Sequence, residues 1–179
     1  MSKLSAVISA YNEEENIDKC LKSLEFADEI IVVDNSSVDK TAEIAKKYTA
    51  KIFTQKNNPK EIDLQKNFGF EKAGNEWILS IDADEEVSPE LAKEIKEMLA
   101  KKTTVNGFWI PRKNIIFGKF IEHSGWYPDP QLRLFRKGEA KFVKAHVHEP
   151  VKLNGESAYL SQHLIHHHYN SISNFLLKP

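Results

Sequence analysis

Cysteine is nearly absent: Cys20 is the only one in 179 residues, so no internal disulfide framework can form. Glycine is scarce as well, with seven residues, and none of them falls into G-x-G-x-x-G or G-x-x-x-x-G-K-[ST]. That argues against nicotinamide dehydrogenases and P-loop enzymes, which cradle phosphate on such loops. No apolar run approaches the roughly 18 residues of a membrane-spanning helix. Neither sign of charge is in excess: 25 Lys and Arg face 26 Asp and Glu, a net charge of -1. A general nucleic-acid binder shows a basic excess or stripe, so no nucleic-acid partner is expected. The start, MSKLSAVISAYN, has one lysine and an apolar stretch broken at Tyr11-Asn12, too short for a signal peptide. The cytoplasm is the expected location, with peripheral contact at a membrane surface left open.

What is present is the composition of a globular domain, 41% apolar and 28% charged. Leu4–Ala10 has the length and apolarity of a strand. Asn12, with Glu15 three residues on, predicts a capping box for a helix whose face is Ile17, Cys20, Leu21 and Leu24. Glu29–Val33 reads as a buried strand, Thr41–Tyr48 as a helix, and Ala50–Thr54 as a third strand. Ile62–Ala73 predicts a helix with a less regular apolar face, and Glu76–Ile81 a further strand. Ser88 and Pro89 open a helix with the stripe Leu91, Ile95, Met98 and Leu99. This βαβαβαβα order implies an α/β fold, a mainly parallel sheet with helices on both faces. After Asn106 the segments turn short, strand-like and aromatic, and Asn114–Asp129 reads as a lid-like loop. Ser171–Leu177 looks helical. The sequence stops within that amphipathic pattern, which points to a C-terminal piece beyond it.

Ligands of open α/β sheets bind beyond the carboxyl ends of the strands. Asp34 ends one strand, and Asp82 and Asp84 end another. Two hard oxygen donors that close suit Mg²⁺ or Mn²⁺, with substrate phosphates completing the shell. Asp39 and Glu86 read as solvated caps. The first strand opens through Tyr11, Asn12 and Glu13 onto a helix start, where backbone N–H groups suit an anion or a polar base edge.

The segments SAYNEEENI (Ser9–Ile17), VVDNSSVDKT (Val32–Thr41), LQKNFGFEKAGNEWILSIDADE (Leu64–Glu85), QLRLF (Gln131–Phe135) and VHE (Val147–Glu149), in that order, resemble the family 2 glycosyltransferases. The nearest branch is that of bacterial glucosyltransferases of lipopolysaccharide core assembly. The resemblance implies a GT-A fold over a single domain, 1–179. Its Rossmann-like half, 1–105, would bind a nucleotide sugar, and a mixed-strand half, 106–179, the acceptor. It implies an inverting, metal-dependent transfer of a hexose, glucose in that branch, from a UDP-sugar to a saccharide or glycolipid acceptor of the cell envelope. Asp34 would accept from the uracil N3–H, while Tyr11, Asn12 and Glu13 line the nucleotide pocket. Asp82-Ala83-Asp84 would be the DxD motif, with Asp82 on the ribose or sugar and Asp84 on Mn²⁺ or Mg²⁺. Lys66 stands where many relatives carry arginine and supplies charge without the bidentate fork. Arg133 matches a family arginine that reaches the diphosphate, and Gly69 fits close packing in its helix.

An inverting transfer needs one carboxylate near the acceptor hydroxyl, and Glu149 is the candidate base, with Asp129 in reserve. A surface salt bridge is the competing role for Glu149. One of His166, His167 or His168 is a candidate further metal ligand. Two other readings stay open on sequence: a nucleotidyltransferase or phosphohydrolase built on the paired aspartates, and a non-catalytic sugar-binding module.

Overall fold

The structure is a computed structural model that describes residues 2–123, 125, 127–144 and 151–169, of which 168 and 169 by backbone alone. The first half alternates β1 (Leu4–Ala10), α1 (Ile17–Ser23), β2 (Glu29–Asp34), α2 (Thr41–Ala45), β3 (Ile52–Thr54), α3 (Ile62–Lys72) and β4 (Trp77–Asp82). Then come β5 (Glu85–Val87), α4 (Pro89–Leu99), β6 (Gly107–Ile110), β7 (Arg112–Ile116) and β8 (Lys119–Phe120). The described chain closes with β9 (Gln131–Arg136), β10 (Ala140–Phe142), β11 (Val151–Leu153), β12 (Ser157–Tyr159) and β13 (Leu164–Tyr169).

The central sheet has the order β12-β6-β9-β4-β1-β2-β3. β9 runs antiparallel to both its neighbours, and the other pairs are parallel. The chain moves outward from β1 to β3 and then returns to place β4 on the other side of β1. The carboxyl ends of β1 and β4 therefore flank the point where the strand order reverses, which is where such sheets open a crevice.

Side chains alternate between the two faces, as a pleated sheet requires. Leu4, Ala6, Ile8, Val32, Leu79, Ile81 and Leu134 pack with Ile17, Cys20 and Leu21 of α1 and Leu91, Ile95 and Leu99 of α4. Val7, Ile31, Ile78 and Phe135 face the other way, onto Phe70 of α3 and Phe142 of β10. α4 begins as its sequence indicates: the Ser88 hydroxyl accepts from Leu91 N–H at 3.1 Å, with Pro89 in the first turn.

Two local expectations differ from the structure. Asn12 does not cap α1; Asn16 is the N-cap, without a side-chain hydrogen bond. Asn12 instead has φ 54°, a left-handed conformation that asparagine tolerates. Its Oδ1 accepts from Val38 N–H at 2.9 Å, pinning one loop to another. The expected lid at Asn114–Asp129 is in part a β7–β8 hairpin, and the histidine-rich stretch is the strand β13. These belong to a second sheet, β5-β13-β7-β8, whose register sets His166 opposite both Glu85 and Asn114. The expected helix Ser171–Leu177 lies outside the described residues. Among the described residues no helix is long and apolar enough to cross a membrane.

α3 lies close on β1 and β2 because residue 69 has no side chain. A Cβ built on Gly69 would stand 2.5 Å from Val7 Cγ1 and 2.9 Å from Val33 Cγ2. Both neighbours are β-branched strand residues with little freedom to turn away. Gly69→Ala gains helix propensity of about 1 kcal/mol but overpacks this contact by roughly 1–3 kcal/mol. The expected outcome is a net loss of stability in urea unfolding; an unchanged or raised midpoint contradicts this packing.

Candidate active site

Two clefts meet at the carboxyl end of β4. The first, about 550 Å³, is lined by Tyr11, Glu13, Asn35, Asp84 and His166 among others. The second, about 700 Å³, is lined by Trp109, Asp129, Gln131, Arg133, Phe142 and Val151 among others. Asp63, Lys66, Asp82 and Arg112 line both and form the shared wall.

That wall is a chain of alternating charge. Lys66 Nζ, on a buried turn of α3, stands 2.9 Å from Asp63 and 2.6 Å from Asp82 Oδ1. Arg133 of β9 pairs with Asp82 Oδ2 and, at 2.7 Å, with Glu85 Oε1. Arg112 of β7 reaches Glu85 Oε1 at 3.3 Å and donates through Nε to Asp129 Oδ2 at 2.9 Å. Glu85 has no solvent-exposed surface, and its second oxygen accepts the Asp82 N–H at 3.0 Å, closing the turn between β4 and β5.

The pairing fixes protonation. Desolvation pushes the Asp82 carboxyl up, but Arg133 and Lys66 outweigh it and hold the group well below the usual carboxylate range. Burial works against the Lys66 ammonium, yet Asp82 holds it above its ordinary value. Burial likewise opposes the charge on Arg133, and Asp82 and Glu85 keep it firmly protonated. Partial burial raises Asp129, but hydrogen bonds and charge from Arg112, with Gln131 and Asn114, take it below the ordinary aspartate value.

Both Asp82 oxygens are thus committed to cations of the protein, whereas Asp84 faces His166. Asn114 turns its Nδ2 toward Asp129 at 3.5 Å, so its Oδ1 accepts from His166 Nδ1 at 2.7 Å. His166 Nε2 stands 3.5 Å from Asp84 Oδ2. In its neutral form this imidazole aims a lone pair, not a proton, toward the carboxylate. Two acceptors held side by side, with the far ring nitrogen anchored on an oxygen, are the arrangement of a metal-ligating histidine. Among the described residues no three His, Cys, Asp or Glu side chains cluster to hold a metal on their own. Mg²⁺ and Mn²⁺ do not need that, because one or two protein donors and substrate phosphates suffice. The residues present fit such an ion.

The remaining expected residues are placed as follows. Tyr11 is 45% exposed on the rim of the first cleft, which Glu13 also lines. Asn12, itself exposed, ties the loop after β1 to the loop after β2. Asp34 is buried at the end of β2, with Oδ1 accepting from Ser37 N–H at 3.2 Å; the cleft wall there is its neighbour Asn35. Lys66, Asp82, Asp84 and Arg133 come together. Asp39 caps Thr41 N–H at 2.9 Å, as expected, while Glu86 pairs with His167 at 2.8 Å instead of standing solvated. Glu149, with 145–150, lies outside the described residues.

Sequence reasoning missed Glu85, Asn114, Asn35 and Gln55. Asn35 donates to Ser9 Oγ and Ala10 O at 2.9 and 3.1 Å and accepts from Gln55 Nε2 at 2.8 Å. This buried network stiffens the crevice between β1 and β2. The signal for Asn35 was its place directly after Asp34, and for Glu85 its place directly after Asp84. Nothing local marks Asn114 or Gln55.

Residues 5–153 match the sequence profile described as Glycosyl transferase family 2, and the chain belongs to that family. Among its relatives is the lipopolysaccharide core biosynthesis glycosyltransferase LpsC of Rhizobium meliloti. It is 31% identical over 156 residues, which cover 85% of this chain and 58% of LpsC. An uncharacterized glycosyltransferase of Rickettsia typhi, RT0209, is 32% identical over 97% of this chain and 62% of its own length. The chain thus spans about three fifths of the length of these two relatives. The fold is shared with Staphylococcus aureus TarS 1–349, solved in complex with UDP-GlcNAc. That likeness has a TM-score of 0.65 and 19% identity, over 91% of this chain and 58% of TarS 1–349. The GT-A architecture expected from the sequence is the one observed.

The charge chain makes a stability prediction. Arg133→Met strands Asp82 and the buried Glu85 without their shared partner, and breaking such a pair costs about 3–5 kcal/mol. Lys93→Ala removes only an exposed helical pair with Glu97 at 4.0 Å and should cost under about 0.5 kcal/mol. Urea unfolding of the two variants compares them; similar small losses would show that the wall bears little of the stability.

Proposed function

We propose that this chain carries the catalytic region of an inverting, metal-dependent glycosyltransferase. It would move a hexose, glucose on the sequence resemblance, from a UDP-sugar to a saccharide acceptor on a cell-envelope glycolipid. One observation carries the reading: Asp82 is neutralised by Lys66 and Arg133, while adjacent Asp84 faces His166, at the wall between two clefts. The donor belongs in the first cleft. Its base would lie between Tyr11 and the β2 end, with Asp34 accepting from the uracil N3–H, and Asn12 and Glu13 shaping the loop around it. Asp84, with His166, would hold Mn²⁺ or Mg²⁺, which supplies charge to the leaving diphosphate. Lys66 adds positive charge at the same place. Arg133 fixes Asp82 in place.

The acceptor belongs in the second cleft. Phe142 and Val151 are paired across the β10–β11 hairpin, line that cleft, and flank the connection that carries Glu149. The acceptor oxygen attacks C1 of the sugar, its proton passes to the Glu149 carboxylate, and the C1–O bond to the diphosphate breaks with release of UDP. Asp129 is a poor alternative base, since hydrogen bonds and charge from Arg112, with Gln131 and Asn114, lower its basicity. The acceptor's envelope origin rests on the LpsC likeness, and it implies work at the inner face of the cytoplasmic membrane by peripheral contact.

Two measurements test the division of labour. By calorimetry UDP should bind much more weakly in EDTA than in Mn²⁺. Asp84→Ala should erase most of that difference, whereas Asp34→Ala should weaken UDP about tenfold or less with or without metal. Equal affinity in EDTA and Mn²⁺ removes the metal from the reading. Glu149→Gln should keep UDP-sugar affinity within about threefold and lower kcat by roughly 10²–10⁴. The wild-type product should be inverted at C1. Normal turnover by Glu149→Gln, or a retained configuration, would refute this mechanism.

A further inference from the structure

The second cleft has an aromatic wall that the transfer chemistry does not use. Trp109 sits on β6 between Phe108 and Ile110, both in the core on the α1–α4 face, so its own side chain stands on the opposite face, within the cleft. Two contacts from the edge strand β12 hold it there. Tyr159, its register partner, stacks on it with centroids 6.3 Å apart and planes at 23°. Ser157 Oγ accepts its Nε1–H at 3.1 Å. Tyr159 is 69% exposed, a high value for a tyrosine whose visible work is to back another ring.

Around Trp109 the cleft offers the partners that sugar hydroxyls take. Asp129 and Gln131 bond to each other at 2.8 Å at the mouth of β9, and Arg112 lies beside them. A flat aromatic wall beside planar carboxylate, amide and guanidinium groups matches a pyranose, which has apolar C–H faces and a rim of hydroxyls. The cleft is also continuous with the Asp82 wall, so a ring held on Trp109 is close to the donor side.

We infer that Trp109 is the stacking platform for a pyranose ring of the acceptor, and that Tyr159 and Ser157 are positioning residues that fix its plane. The acceptor is therefore recognised as a saccharide, by a ring face. This rests on the reading of the second cleft as the acceptor's side of a sugar transferase.

The whole chain, with UDP and Mn²⁺ bound, is to be tested on a printed array of bacterial-envelope oligosaccharides, and the best binder titrated by calorimetry. Wild type should retain at least one oligosaccharide. Trp109→Ala should weaken it about tenfold or more while UDP affinity stays within about threefold, as expected of separate sites. Trp109→Phe keeps a ring and should retain most of the binding. Tyr159→Ala, a surface change that leaves the core intact, should weaken the saccharide several-fold, and Tyr159→Phe should restore it. Saccharide binding unaffected by Trp109→Ala overturns the platform, as does wild type that binds UDP but no oligosaccharide of the array. Failure to bind UDP at all defeats the sugar-transferase reading as well, so the two failures are distinguishable.

Discussion

Everything at the carboxyl edge of this sheet depends on how Asp82 is neutralised. Its carboxylate stands between Lys66 of α3 and Arg133 of β9. From there the alternation continues through Glu85 and Arg112 to Asp129, and back through Lys66 to Asp63. Removing charges from water is costly, and a lone buried member of this set would be untenable. Alternation lets each charge be satisfied by its neighbours, and it joins α3, β4, β5, β7 and β9 at one place. The same pairing separates two adjacent aspartates by chemistry: Asp82 is held by protein cations, while Asp84 is turned to His166 and the first cleft.

The fold supplies this meeting point in two stages. The parallel strands β1, β2 and β4 bring Ala10, Asp34 and Asp82 to one edge, at the reversal of strand order. The second half then contributes β9, antiparallel beside β4, which carries Arg133 under Asp82. The smaller sheet adds the rest, since β13 lies between β5 and β7 and sets His166 against Glu85 and Asn114. In this member of glycosyl transferase family 2 the first half thus supplies most of the first cleft, and the second half adds Arg112 and His166 to it and most of the second cleft.

The irregular apolar face of α3 has its reason here. Its inner side carries Lys66 for the charge chain and Gly69 for contact with β1 and β2, leaving Phe70 as its buried apolar residue. α4, remote from the clefts, keeps an uninterrupted stripe of Leu91, Ile95 and Leu99. A departure from simple patterning thus marks the helix that serves the site.

The sequence by itself determined the parallel α/β frame. Apolar runs such as Leu4–Ala10 and Glu29–Val33, the Ser88-Pro89 helix start and the β/α alternation are local patterns, and local patterns follow from side-chain period and backbone preference. It also marked Asp34, Asp82 and Asp84, because carboxylates at the ends of buried strands stand out in one dimension. Only the tertiary structure decided which acids are neutralised and by what. Lys66 to Asp82, Arg133 to Glu85 and Asn114 to His166 join residues 16, 48 and 52 positions apart. No period or spacing encodes such pairs. Asn12 shows the limit even at short range: its cap-like sequence gave way to a hydrogen bond with Val38, from a loop 26 residues away. β13 was likewise hidden, because a strand of histidines lacks an apolar period and exists through its register with β5 and β7. The chemistry of single residues is written along the chain, but which charge answers which is set where distant strands meet, since electrostatic pairing depends on distance in space.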